Sequence, residues 1–255
     1  MCTNKKKRLA KICVDECHAV VFVEQWIMNP ERKFWNQQQQ ALRKILAHPE
    51  TFQTGIDLFL CQHAMVHAAQ MSQAGLWSFE DETLQGVSED QLRSIPRDAE
   101  HSIAWMVWHM TRCEDVTMNL LAAGRPQVLL QEGWLARMQI SAQDTGNAMA
   151  AAQVADFSTA IDLEALQAYR RSVGRRTRLI AMTLLPEQLK QKVDPTRLRQ
   201  ITHEGAVVEA ASGLLDYWSG LTIAGILLMP PTRHNFVHWN EALRIKQKLK
   251  EPIRK

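Results

Sequence analysis

Two histidines four residues apart, in the run His234-Asn235-Phe236-Val237-His238, put two imidazoles on one face of a helix. Their Cβ atoms then lie about 5–6 Å apart. Nitrogens so placed can point at one ion, and imidazole is a borderline-soft ligand that suits zinc, nickel, copper and iron(II). The pair alone does not establish a site. The chain has nine histidines, enough for such a pair to arise by chance, and His63-x-x-x-His67 is a second. No glutamate directly follows His234, so the metalloprotease pattern is absent. A third histidine, His109, stands in the apolar run Ile103 to Met110, with Trp105 at i−4 and Cys113 at i+4. There its ring faces the core or its edge, and its nitrogens need partners: a metal ion, a carbonyl or a carboxylate.

Around these three, the groups that could orient a ligand or move a proton are Arg112, Glu114, Asp115, Arg233, Asn240 and Glu241. Glu241 is i+3 from His238 and i+7 from His234, so it shares their face and could accept a ring N–H; otherwise it is an ordinary surface charge. Cys113 shares a face with His109 and either approaches the site or packs as a small buried residue. His63 and His67 either pack and hydrogen-bond, or add a fourth ligand or a proton donor. Trp105, Trp108 and Trp239 flank the histidines in sequence, and aromatic residues at helical spacing are more often core than a ligand box.

Helices must position all of these groups. Apolar spacing predicts one over 33–47, ended before Pro49, and a second over 51–74, with Ile56, Phe59, Leu60, His63, Val66, His67 and Gln70 on one stripe and Gly75 as its stop. Residues 81–96 read as loop and short helix. The clearest helix spans 98–123, with Ile103, Met106, Met110, Cys113, Thr117, Leu120 and Leu121 in line and Gly124 closing it. A connection over 125–158 holds one or two short helices around Val128 to Met138, and connections that long are often functional. A further helix spans 158–185, with Asp162 and Glu164 early and Arg175, Arg176 and Arg178 late, which suits its dipole. Pro230-Pro231 starts the last helix, which runs to about residue 250. That start puts His234 in a first turn, where the dipole weakens cation binding by up to ~1 kcal/mol and favours bound hydroxide. The short Gln37 to Gln40 run reads as a solvated face. No hairpin signal or βαβ alternation appears, so the chain is all-α, most simply a four-helix bundle with additional helices. Residues 1–32, ending near the breaker Asn29-Pro30, form an N-terminal extension; 33–250 form the helical domain; 251–255 form a basic tail.

Bulk properties exclude several classes. Of 255 residues, 46% are apolar, enough for a sizeable core, and 11 Gly and 9 Pro are few for a loop-rich sandwich or barrel. A net charge of +3, concentrated in Lys5-Lys6-Lys7-Arg8 and in Arg244 to Lys255, reads as solvated ends and argues against nucleic acid. Five cysteines, an odd number without Cys-x-x-Cys, fit reduced thiols in the cytoplasm. Cys13-x-x-x-Cys17-His18 lacks a nearby fourth zinc ligand. Lys11, Asp15 and Glu16 interrupt any signal-peptide core, and Glu209 and Asp216 interrupt the apolar stretch Val207 to Met229, which reads as core or oligomer interface rather than a membrane span.

The run His101 to Asp115, in which His109 follows a tryptophan-containing apolar turn and precedes the acidic pair Glu114-Asp115, resembles the second core helix of the DinB/YfiT-like superfamily. The segment Met229 to Glu241, with its His-x-x-x-His, resembles that family's last core helix, and Phe59 to Trp77 its first. The resemblance covers about residues 50–245. It implies a four-helix bundle in up-down-down-up order and a divalent metal ion held by His109, His234 and His238. Zinc or nickel leads, ahead of iron or manganese. It also implies a homodimer. Some relatives are thiol-dependent transferases or isomerases, so the first expectation is a metal-dependent enzyme that activates a low-molecular-weight thiol or water against a small-molecule substrate. The alternatives are a non-catalytic, stress-related, metal-binding dimeric helical protein, and structural histidines in a protein whose basic tails bind an acidic partner. The long inserts at about 125–158 and 186–229 depart from the family pattern and leave the substrate open.

Overall fold

The protein is described by a computed structural model over residues 30–250. Residues 1–29, with Cys2, Cys13, Cys17 and His18, and the tail 251–255 lie outside the described residues. In chain order the helices are α1 (Pro30–Ile45), α2 (Phe52–Met65), α3 (Ala69–Ser72), α4 (Phe79–Leu84), α5 (Glu89–Arg93), α6 (Ile103–Asp115), α7 (Val128–Gln131), α8 (Trp134–Arg137), α9 (Ala151–Ala160), α10 (Leu163–Thr183), α11 (Pro195–His203), α12 (Gly213–Ser219), α13 (Ile223–Leu228) and α14 (Asn235–Lys250). Two π-helical turns extend this set: Val116–Ala123 prolongs α6, and Met229–His234 joins α13 to α14 without a break. Among the described residues no strand forms beyond one isolated bridge, Lys192 with Thr222. The fold is all-α, consistent with a four-helix bundle that carries added helices.

Local chemistry sets most of these ends. Ser102 caps α6 by accepting from the Trp105 amide, so that helix starts later than its apolar pattern suggests. Gly124, at φ +60°, closes the run as expected. Asp162 accepts from the Ala165 amide and caps α10, which divides the stretch expected as one helix from 158 into α9 and α10. The expected helix over 51–74 breaks after Met65. The Val66 carbonyl is captured by Arg170 Nη2 and Trp239 Nε1, and the His67 carbonyl by the Ser78 hydroxyl. These donors outcompete the helical ladder. The residue in the left-handed stop position of α3 is Gln73, ahead of Gly75.

The core has two apolar clusters. One gathers Trp35, Met65, Trp105, Trp108, Tyr169, Phe236 and Trp239. The other gathers Leu42, Phe59, Val116, Ile180, Trp218, Ile226 and others. It includes parts of the 186–229 insert: Val207, Trp218, Ile223, Ile226 and Leu227 of the stretch from Val207 are core, whereas Val208 and Tyr217 are exposed. Helices α2 and α10, α6 with its π-helical extension, and the continuous run from α13 to α14 cross both clusters and carry buried polar residues at the crossing: His63 on α2, Glu114 on α6, Thr177 on α10, Thr232 in the π-helical turn and Asn235 at the start of α14. A polar layer therefore lies between the two cores. The Gln37 to Gln40 run is no uniform solvated face, because Gln38 is buried and accepts from Gln62, and Gln39 donates to the Leu228 carbonyl.

Candidate metal centre

Helix α6, the π-helical turn Met229–His234 and helix α14 bring His109, His234 and His238 together. Their ring centroids lie 5.0 Å apart for His109–His234, 5.1 Å for His109–His238 and 4.6 Å for His234–His238, all edge-on. The Nε2 atoms of His234 and His238 are 3.2 Å apart. Two nitrogens bound tetrahedrally at about 2.0–2.1 Å from one zinc ion are separated by about 3.3 Å, so the pair is already spaced for a shared ion. His109 is buried and its Nδ1–H donates to the Thr145 carbonyl at 2.6 Å. A carbonyl only accepts, which fixes the tautomer and leaves the Nε2 lone pair free. His238 Nδ1 meets Glu241 Oε2 at 3.1 Å, and its Nε2 faces His234 Nε2. These outer contacts are the kind that orient metal-binding imidazoles.

The electrostatics favour neutral rings. Burial, with the neighbouring His238 adding to it, pushes His109 down to about 3. His234 is also held well below the usual histidine range, first by burial and then by the other two imidazoles. The hydrogen bond from His238 lowers Glu241, keeping it ionised. Neutral imidazole is the metal-binding form, so His109 and His234 need shed no proton above mildly acidic pH. His234 and His238 keep part of their surface exposed, while His109 forms the floor.

The turn that delivers His234 follows from its prolines. Pro230 and Pro231 have no N–H, so carbonyls one turn back lose their helical donors. The Ile226 carbonyl accepts from the Met229 amide instead, and side chains serve the next two carbonyls. The Thr232 hydroxyl donates to the Leu227 carbonyl, and Gln39 Nε2 donates to that of Leu228. The π-helical turn is the result, and such turns recur at functional sites. Helical backbone continues from Ile223 to Lys250, so His234 does not sit in a first turn. The expected dipole effect on bound hydroxide therefore lapses, since it fades within one turn of a free N-terminus.

Beside the triad lies a second buried group. Glu114 accepts from His63 Nε2 at 2.8 Å, His67 Nε2 at 2.9 Å and Asn235 Nδ2 at 2.9 Å. Burial would raise its carboxyl, but His67 and His63 hold it well below the usual range, and burial lowers both histidines, His67 to about 3. His63, His67 and Glu114 could also offer one ligand atom each to an ion. A buried dication there would face the cationic Arg170 and Arg178, which already disfavour charge on His63. The group is better read as a closed hydrogen-bond cluster. Its consequence for the triad runs through Asn235, which also donates to the Pro231 carbonyl and so ties Glu114 to the π-helical turn.

The remaining expected residues divide. Glu241 reaches His238, and Cys113 Sγ lies 4.0 Å from His109 Nε2. Glu114 acts one residue removed from the triad, through Asn235. Arg233 turns away from it, donating to Asn36 on α1. Arg112 and Asp115 form a buried network with Tyr169 and Gln127, and Asn240 donates to the Phe236 carbonyl. His63 and His67 spend their Nε2 atoms on Glu114. Trp108 and Trp239 are core; Trp105 is buried too but stacks on His109 at 4.7 Å and on His101 at 3.8 Å, so it also forms a wall of the site. Sequence reading missed Thr145, which acts through its backbone and carries no side-chain signal. Gly146 beside it has φ +79°, and a Cβ there would fall 2.5 Å from Trp108. The turn-like Asp144-Thr145-Gly146-Asn147 was the available clue.

No curated protein shows significant similarity to the chain. The profile of the DinB superfamily matches residues 80–212, over half of the sequence, a span that holds His109 on α6 and stops short of His234 and His238. His109, Cys113 and His234 offer ligand atoms close enough together to fit a divalent metal ion. On the extent of that match, the chain belongs to the DinB superfamily.

Proposed function

We propose that this protein is a metal-dependent enzyme that holds one divalent ion, zinc or nickel foremost, with His109, His234 and His238. The observation that carries the reading is the convergence of three rings whose outer nitrogens are, for two of them, already engaged by Thr145 and Glu241. A divalent ion held this way supplies Lewis-acid activation, lowering the pKa of a bound water or thiol toward neutrality. The chain's own residues do the rest. Thr145 and Glu241 lock two imidazoles with Nε2 turned inward. Trp105 fixes the plane of the His109 ring and shields its inner side. Water, a low-molecular-weight thiol and a small electrophile would approach from the side where His234 and His238 keep part of their surface exposed.

One observation favours a second reading. His109, Cys113 and His234 each offer a ligand atom within 4.8 Å of the others. A Cys113 thiolate would close the coordination shell, as in structural sites, and the protein would then bind metal without catalysis. Cobalt(II) substitution tests both. An enzyme site gives visible d–d bands that shift when a small thiol is added, with no near-ultraviolet thiolate band before addition. A thiolate band in the untreated protein, lost in Cys113→Ser, establishes the closed site instead. Absence of any cobalt spectrum rejects both.

A further inference from the structure

We propose that the groove between α1 and the α12–α13 segment is a binding site for a small amphipathic anion, a molecule with a carboxylate or phosphate head on an apolar body. The groove encloses about 670 Å³, within the range of small-molecule sites. Three cations line it, Arg43 and Lys44 from α1 and Arg233 from the π-helical turn, and no carboxylate does. None of the three forms an ion pair among the described residues. Arg43 and Lys44 lie in the last turn of α1, where the helix dipole welcomes cations. That does not account for Arg233, which enters from the opposite wall. Asn36 accepts from one arm of its guanidinium and Phe236 lies near it, so the side chain is held in place with donors to spare. Like charges gathered on one concavity repel, and an anion bound among them relieves that repulsion while accepting charge-assisted hydrogen bonds.

The rest of the lining specifies the body of the ligand. Leu221, Leu228 and Met229 supply an apolar floor, and Tyr217, nearly half exposed, supplies an aromatic wall. Gln39 adds a polar point. Its amide nitrogen is used on Leu228 and Thr232, while its oxygen is enclosed and has no partner. An enclosed acceptor without a donor costs free energy, and a ligand hydroxyl or amide would satisfy it. None of the triad histidines lines this groove. The proposal therefore stands whether or not the triad binds metal.

Calorimetric titration of the full chain with octyl phosphate, octanoate and octanol tests it. Saturable binding of the two anions is expected, with octanol at least tenfold weaker. The double variant Arg43→Gln/Arg233→Gln should weaken octyl phosphate by about tenfold or more, as loss of charge-assisted contacts implies. Lys190→Gln, at an exposed position outside the groove, should leave it unchanged. Lack of saturation below millimolar concentrations, equal binding of octanol, or indifference to the double substitution overturns the assignment.

Discussion

Replacing Glu114 with alanine should be among the most damaging single changes in this protein, and the size of the loss follows from its contacts. The carboxylate is fully buried and accepts from His63, His67 and Asn235. Truncation leaves three buried donors without an acceptor. Each orphan costs about 1–3 kcal/mol, partly relieved if water enters, and removing one side of a buried charged contact costs about 3–5 kcal/mol in total. Against a typical domain stability of about 5–15 kcal/mol, that is a large fraction. Glutamine should be milder. Its oxygen still accepts from one side, and its amide can donate to a histidine that moves its proton to Nδ1, an atom that already lacks a partner. We expect about 1–2 kcal/mol for Glu114→Gln. Urea unfolding at pH 7 measures both through the midpoint at constant m-value. A Glu114→Ala protein within about 1 kcal/mol of wild type, or a glutamine variant as unstable as the alanine one, would refute the reasoning.

Three further outcomes are expected. Burial holds His67 and His109 at about 3 in the folded state, against about 6.5 unfolded, so the unfolded chain takes up protons first and stability should fall as pH drops below about 6.5. Glu114, with its folded value depressed, contributes stability above its unfolded value that is lost on further acidification. Melting temperatures from pH 7.5 to 4.5 check this, and a flat profile between 7 and 5 contradicts it. Glu241→Ala frees the His238 ring and should weaken cobalt(II) binding about 10–100-fold with little change in fold, measured by competition with a chelator. Gly146→Ala must relieve a 2.5 Å approach to Trp108 at φ +79°, so it should destabilise by about 1–3 kcal/mol and weaken metal binding by shifting the Thr145 carbonyl; unchanged values of both argue against that carbonyl as the orienting group.

The residues that lie close in sequence were the legible ones. The α6 stripe, its closure at Gly124, and the placement of Glu241 one turn beyond His238 all follow from helical periodicity. What could not be read was set by distant partners. The α2 helix stops where Arg170 and Trp239, over a hundred residues away, take the Val66 carbonyl. The prolines before His234 announced a break but not its form, because Gln39 and Thr232 together decide that the chain passes through as a π-helical turn. The partners of Glu114 were not legible either: it pairs with His63 of α2 and His67 just after it, a contact that spacing on α6 alone does not encode. Thr145 was invisible because a backbone carbonyl has no sequence signature.

The proposed centre depends on three imidazoles sharing one ion. Elemental analysis of the purified protein, set beside His109→Ala, His238→Ala and the exposed-site control His203→Ala, addresses it directly. One equivalent of a divalent transition metal in wild type and in the His203 variant, with loss in the other two, is the predicted result. Equal metal content in all four proteins would contradict it.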